Sequence, residues 1–132
     1  METRIFDIQS QYSILDEWAR ARGSTAIPKD IIPKLSLIVV DGDEYRAFTS
    51  LYMDNSIGVA MMLWTTTNPK NTPKQSKRAL DYLLTAAKKA LAEHGYFVLM
   101  TATGVRSISR FLRKDGFKIL EKAEILITAT KT

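Results

Sequence analysis

Residues Ile57–Arg78 read IGVAMMLWTTTNPKNTPKQSKR, an apolar run that passes through a short polar loop into a helix start. The run Ile57–Thr66 is near-continuous in apolar residues, which predicts a central strand buried on both faces. Thr67–Asn71, with Pro69, predicts a loop. Thr72-Pro73-Lys74-Gln75 has the pattern of a capping box: Thr72 as N-cap, Pro73 at the first helical position, Gln75 reaching back. A long amphipathic helix should then run from Pro73 to His94, burying Leu80, Leu83, Leu84, Ala87 and Leu91 and ending at Gly95.

That helix start carries an inverted charge. The positive end of a helix dipole attracts acidic side chains into its first turn. Here the first turns carry Lys74, Lys77 and Arg78, and Asp81 follows only later. An anion bound at the helix start would account for the cations. A solvated lysine face would account for them equally well, and both readings stand at this point.

Outward from this stretch the pattern alternates strands and helices. Thr3–Ile8 reads as a first strand. Ser10–Arg22 reads as a helix, with Ile14, Leu15, Trp18 and Ala21 on one face and Gly23 after it. Ser24–Leu35 holds Pro28 and Pro33 and reads as a loop with one helical turn around Asp30–Ile32. Ser36–Val40 and Tyr45–Met53 are the arms of a hairpin about Asp41-Gly42-Asp43. Asp54-Asn55-Ser56 is a second turn. Beyond the long helix, Phe97–Thr101 is a strand. A further helix starts at Thr103 or Ser107, buries Val105, Ile108, Phe111 and Leu112, and stops at Gly116. Phe117–Leu120 and Ile125–Thr130 read as a closing strand pair. The order predicts one α/β (α+β) domain over residues 1–132: a mixed, mostly antiparallel central sheet with helices on both faces. Trp18 and Trp64 are expected in the core.

Composition narrows the chemistry. At 132 residues, 45% hydrophobic and 25% charged, the chain can build a core without staples. With no Cys and only His94, it offers no disulfide, thiol nucleophile, zinc–thiolate or multi-histidine site. His94, at the end of the long helix, reads as a capping residue rather than a triad member. No apolar run approaches spanning length and no signal peptide is apparent, so a cytoplasmic or particle-packaged protein is expected. Phosphate-loop, HExxH and GxSxG motifs are missing. The net charge of +5 is uneven: residues 1–69 balance at −3, with 9 acidic residues, and residues 70–122 at +8, with 12 basic ones. Such asymmetry favours a localised anion site. Asp41, Asp43, Glu44 and Asp54 sit at turns, where turn chemistry explains them; attraction of a cationic acceptor is the alternative role.

A second basic group, Arg106, Arg110, Arg113 and Lys114, shares one side of the later helix, opposite Ile108 and Leu112. It reads as a phosphate-facing stripe or as a solvated face. No aromatic residues interleave with it, which disfavours nucleic acid as the partner.

From Ile57 to Phe117 the element order and residues resemble the core of the GNAT N-acetyltransferases. That family has a strand, a pyrophosphate-cradling loop of pattern R/Q-x-x-G-x-G/A, a long helix, a strand, and a helix closing in a Y-x-K-x-G-F-like motif. Thr72–Arg78 (TPKQSKR) stands at the loop and Phe111–Phe117 (FLRKDGF) at the second motif. The short length and this close are also similar to small acetyltransferase-like proteins of tailed bacteriophages, some of them virion components.

The resemblance implies acetyl-CoA as ligand and an amine as acetyl acceptor. It places the pyrophosphate on the amides of Gln75, Ser76, Lys77 and Arg78, with Lys74, Lys77 and Arg78 neutralising it. It places the 3′-phosphate at Arg106 or Arg110, and the pantetheine arm and thioester carbonyl along Met62, Leu63, Trp64 and Thr65. Two departures stand out. Gln75 and Lys77 replace the loop glycines that let backbone approach a phosphate. Leu112 replaces the tyrosine that often protonates the leaving thiolate, and no catalytic residue is assigned. The alternative is a catalytically degenerate GNAT-fold interaction or phage structural protein, in host cytoplasm or virion, binding a protein partner. A homo-oligomer is left open.

Overall fold

The computed structural model describes residues 1–120 and Thr128. Five strands pair in sequence order in one sheet: β1 (Glu2–Ile5), β2 (Ser36–Asp41), β3 (Glu44–Met53), β4 (Val59–Thr67) and β5 (Val98–Thr101). The first three pairings are antiparallel and β4–β5 is parallel. Among the described residues, three α-helices, α1 (Ile8–Ala21), α2 (Pro73–Glu93) and α3 (Arg106–Lys114), and a 3-10 turn at Lys29–Ile31 accompany the strands. The chain divides into two compact units, Met1–Thr101 with the sheet, α1 and α2, and a second from Ala102 that includes α3.

Within the first unit, helices cover both faces of the sheet. Leu15 and Trp18 of α1 cluster with Phe6, Ile38, Val40 and Phe48, and the rings of Phe6 and Phe48 meet edge-on at 4.8 Å. Side chains alternate along a strand, so Leu37, Val39 and Leu51 face the other way, and all are buried. Thr3 is the register partner of Val39, and its hydroxyl donates to the Tyr82 carbonyl of α2 at 3.2 Å. That bond puts α2 on the Val39 face, where it buries Ala79, Leu80, Leu83, Leu84, Ala87 and Leu91.

The long helix forms as its sequence dictates. The Thr72 hydroxyl accepts from the Gln75 amide at 3.1 Å, and the Gln75 side chain accepts from the Thr72 amide at 2.9 Å. At the other end His94 is the C-cap, with its Nδ1 2.7 Å from the Ala90 carbonyl. Gly95 turns the chain at φ +83, a conformation that costs a residue without Cβ nothing. The β2–β3 hairpin likewise turns on Gly42 at φ +62.

Other boundaries differ from expectation. α1 starts at Ile8 rather than Ser10, because Asp7 is the N-cap. The Ser10 hydroxyl donates to the Asp7 carboxylate, and the Gln11 side chain accepts from the Asp7 amide at 2.7 Å, so both polar residues lie inside the first turn. β4 starts at Val59, so Ile57 lies in the turn ahead of it and is exposed; within the strand Ala60 and Met62 are buried but Met61 is exposed. α3 begins at Arg106, after Val105 rather than Thr103 or Ser107. Val105 is an extended N-cap outside the helix, so it is half-exposed instead of buried. Ile108 and Leu112 are buried as expected, and Gly116 follows the helix at φ +106. Among the described residues, Phe117–Leu120 forms no ladder. Its expected partner Ile125–Thr130 lies outside the described residues except for Thr128.

Leu83 is 1% exposed on the sheet-facing side of α2. Leu83→Ala should lower unfolding free energy by about 2–5 kcal/mol in chemical denaturation, from lost burial plus the cavity left behind. The turn before β4 predicts a pH effect. Asp54 accepts from the Ser56 hydroxyl at 2.5 Å and from the amides of Ser56 and Ile57, which holds its carboxyl below the ordinary value. A depressed carboxylate stabilises the fold above its unfolded pKa, and that contribution is lost as pH falls through the folded one. Asp54→Ala should therefore show a shallower fall of melting temperature on acidification than the parent chain.

Candidate active site on strand β4

Strand β4 carries one residue too many. Phe48 on β3 pairs with Thr66, and Ser50 pairs with Leu63, so two steps on β3 match three on β4. Thr49 alone opposes Trp64 and Thr65. The extra residue is taken up at Trp64, whose φ is +62, the only positive φ at a non-glycine among the described residues. Such a conformation costs an aromatic residue on the order of 1 kcal/mol or more, and is held only where the surroundings over-determine it.

Two sets of side chains do so. The Trp64 indole N–H donates to the Tyr52 hydroxyl at 2.9 Å, and Tyr52 donates to the Ile31 carbonyl at 2.7 Å. Burial raises the Tyr52 hydroxyl above its ordinary pKa, and the bond from Trp64 works against that rise. On the opposite face, the Thr49 hydroxyl lies 2.8 Å from the Thr65 hydroxyl and donates to the Leu63 carbonyl at 3.4 Å. Trp64 is thus half-buried at a strained bend, beside the α1 cluster rather than within the core proper.

The bulge coincides with the end of the parallel ladder. β5 pairs with β4 from Val59–Val98 to Met62–Thr101 and then stops. The Thr101 hydroxyl donates to the Met62 carbonyl at 2.5 Å, closing the last rung. From Leu63 to Thr67 the β5 side of β4 has no strand partner among the described residues. Main-chain donors and acceptors at such an edge can pair with an extended ligand, as an added strand would.

The edge runs directly into the cationic helix start through a loop tied to β3. The Asn68 amide donates to the Arg46 carbonyl at 3.0 Å, and its side chain donates to the Tyr45 carbonyl at 2.8 Å. Asn71 donates to the Arg46 carbonyl at 2.9 Å and to the Ser76 hydroxyl at 3.2 Å, and accepts from the Arg46 guanidinium at 3.1 Å. These asparagines fix the loop by side-chain bonding to the main chain. Sequence reading missed Asn68, Asn71, Arg46, Thr49 and Tyr52. The Asn68-Pro69 pair was the available signal, since such dipeptides mark built turns.

At the helix start, Lys74, Lys77 and Arg78 are exposed, and Arg78 lies over the Tyr82 ring at 5.9 Å. The amides are less free than their position suggests. Gln75 donates to Thr72 in the capping box, and Ser76 donates to the Thr72 carbonyl at 3.0 Å. Pro73 has no N–H, so Lys74 supplies the first-turn amide without an acceptor among the described residues. Charge here comes mostly from side chains. A further cation stands near the end of β4: the Arg22 guanidinium donates to the hydroxyls of Thr66 and Thr67 at 3.2 and 3.3 Å. Partial burial lowers its pKa, yet a guanidinium stays charged at neutral pH.

The structure therefore brings Met62, Leu63, Trp64 and Thr65 into one unit with Lys74–Arg78. Arg106 and Arg110 lie exposed on α3 in the second unit. Of the acidic turn residues, Asp54 caps its own turn and Asp41 pairs with Arg46 at 3.5 Å. Among the described residues no group of acidic or His side chains could hold a metal ion, and no helix is long and apolar enough to cross a membrane.

The fold has counterparts among solved structures. A probable acetyltransferase superposes with a TM-score of 0.73 at 15% identity, covering 99% of this chain and all of that one. The fold is that of the GNAT acetyltransferases. A PaiA N-acetyltransferase from Thermoplasma acidophilum, in complex with coenzyme A, matches at TM-score 0.68 and 19% identity over 92% of each chain. An aminoglycoside acetyltransferase from an uncultured soil metagenomic sample, in complex with sisomicin, matches at 0.69 and 11% over 98% of this chain and 96% of that one. None of the three is described as a phage protein. No protein-family model and no curated protein sequence matches the chain.

The strain at Trp64 is directly measurable. Both Trp64→Gly and Trp64→Ala lose the indole, but only glycine adopts φ +62 without a Cβ clash. The glycine variant should be the more stable of the two by about 1 kcal/mol in denaturant unfolding, the reverse of the usual order in strands.

Proposed function

We propose that residues 1–132 act as one acyltransferase domain that binds acetyl-CoA and transfers its acetyl group to an amine. The observation that carries this reading is the bulge at Trp64, which leaves the Leu63–Thr67 edge of β4 open where β5 ends, one short loop ahead of a cationic helix start. The neighbours' acetyltransferase fold supports it, and one of those neighbours holds coenzyme A.

The residues suit the ligand's two chemistries. Its pantetheine arm is an amide-bearing chain that a free strand edge can pair with, and main-chain groups of Met62–Thr65 would take that role. An N–H in the bulge would meet the thioester carbonyl and stabilise the negative charge that develops on its oxygen. The pyrophosphate would meet the Lys74 amide and the side chains of Lys74, Lys77 and Arg78. The amides of Gln75 and Ser76, already bonded to Thr72, would contribute only if the capping box opened.

In the transfer, the amine nitrogen attacks the thioester carbonyl carbon. A C–N bond forms, the C–S bond breaks, sulfur leaves as thiolate, and the surplus proton of the amine passes to water. No side chain is assigned to protonate the thiolate, which takes its proton from solvent. Catalysis then rests on positioning and on carbonyl polarisation, and turnover should be slow.

Calorimetry tests the reading. Acetyl-CoA should bind the wild-type chain in a salt-dependent manner. Lys74→Glu combined with Lys77→Glu should weaken that binding by about 2 kcal/mol or more, the size of charge-assisted bonds lost and reversed. Absence of binding at millimolar acetyl-CoA would overturn the reading.

A further inference from the structure

We infer that Thr49 is a positioning residue for the acyl donor, acting through strand β4 rather than by touching the ligand. The inference rests on the acetyl-CoA reading and adds a residue to it from the neighbouring strand. Thr49 is the single residue of β3 that faces two of β4, and it is fully buried. A valine would fill the same space, so packing alone does not call for threonine. Its hydroxyl is used twice, at the Thr65 hydroxyl and at the Leu63 carbonyl, the residues that flank Trp64 on either side. The arrangement that satisfies all three groups has Thr65 donating to Thr49 and Thr49 donating to Leu63. Each end of the extra residue is thereby tied to one point of β3.

The tie has a mechanical consequence. A bulge whose central residue sits at positive φ can relax by sliding the extra residue along the strand, with Leu63 or Thr65 taking its place. Any such slide changes which main-chain groups of Leu63–Thr67 face the open side of β4. Thr49 blocks the slide by holding the Leu63 carbonyl and the Thr65 side chain in fixed register. It therefore sets which amide is offered to a thioester carbonyl, and it does nothing for phosphates bound at the start of α2.

That division of labour supplies the test. The probes are acetyl-CoA and 3′-phosphoadenosine 5′-diphosphate, which carries the phosphates without the pantetheine arm. Thr49→Val should lower affinity for acetyl-CoA about tenfold, the size of one or two lost hydrogen bonds. It should leave affinity for the nucleotide unchanged. Thr49→Ser should keep wild-type affinity for both. Thr65→Val, at a half-buried position that tolerates the change, should reproduce the Thr49→Val pattern if Thr49→Val fails to fold. The double variant should fall no further than either single one, because one bridge is being removed from its two ends. Equal acetyl-CoA affinity in wild type and both valine variants would overturn the assignment while leaving the acetyl-CoA reading intact. A parallel loss of nucleotide affinity would overturn it too, since a general loosening of the fold acts on both ligands. If the wild-type chain binds no acetyl-CoA, the parent reading falls and this one with it.

Discussion

One residue out of step in the β3–β4 ladder governs the arrangement of everything after it. A strand paired residue for residue with β3 would keep its other edge available to β5 along its whole length. With Thr49 facing both Trp64 and Thr65, β4 bends, and the parallel pairing with β5 ends at Met62. Among the described residues, the main chain beyond the bend has no strand partner on one side, while β3 still holds it on the other. The strain at Trp64 is offset locally by the Trp64–Tyr52–Ile31 relay on one face and the Thr49 bridge on the other. Those bonds explain how a non-glycine residue persists at a position that would suit glycine.

The same bend aims the chain at α2. β4 runs to Thr67, Asn68 anchors it back to β3, and within five residues Thr72 caps a helix of 21 residues. Side chains of the loop bond inward to β3 rather than outward, so the loop is built before any ligand arrives. Charge and geometry are separated in this design. Asn68, Asn71 and Arg46 hold the backbone, and Lys74, Lys77 and Arg78 supply exposed cations. A glycine-rich loop would combine the two tasks by letting amides approach a phosphate directly.

Much of the fold could be read in the sequence because local signals agreed with tertiary demands. The capping box, the apolar stripe of α2 and Gly95 bounded one helix to within a residue, and the Asp41–Asp43 turn located the hairpin. The misses share a physical cause. Val105 has an apolar side chain in a helical pattern, yet the helix starts one residue later, and periodicity is blind to a cap without a polar side chain. Ile57 lies in the apolar run but belongs to the turn before β4, and Met61 is exposed because alternate residues of a strand point to opposite faces. The site divided similarly. The cations of α2 were visible because they contradict the helix dipole. The bulge was not, since nothing in IGVAMMLWTTT announces a positive φ at tryptophan. The bonds that permit it come from Thr49 and Tyr52, residues from another strand.

We propose the bulged edge of β4 as the ligand-binding element. Hydrogen exchange resolved to single amides, with and without saturating acetyl-CoA, tests it most directly. The account predicts that the largest new protection falls on amides between Leu63 and Thr67, with a smaller effect at Lys74. Among the described residues those amides have no strand partner on the β5 side. Protection that leaves Leu63–Thr67 unchanged and appears elsewhere on the sheet or along the rest of α2 would contradict it.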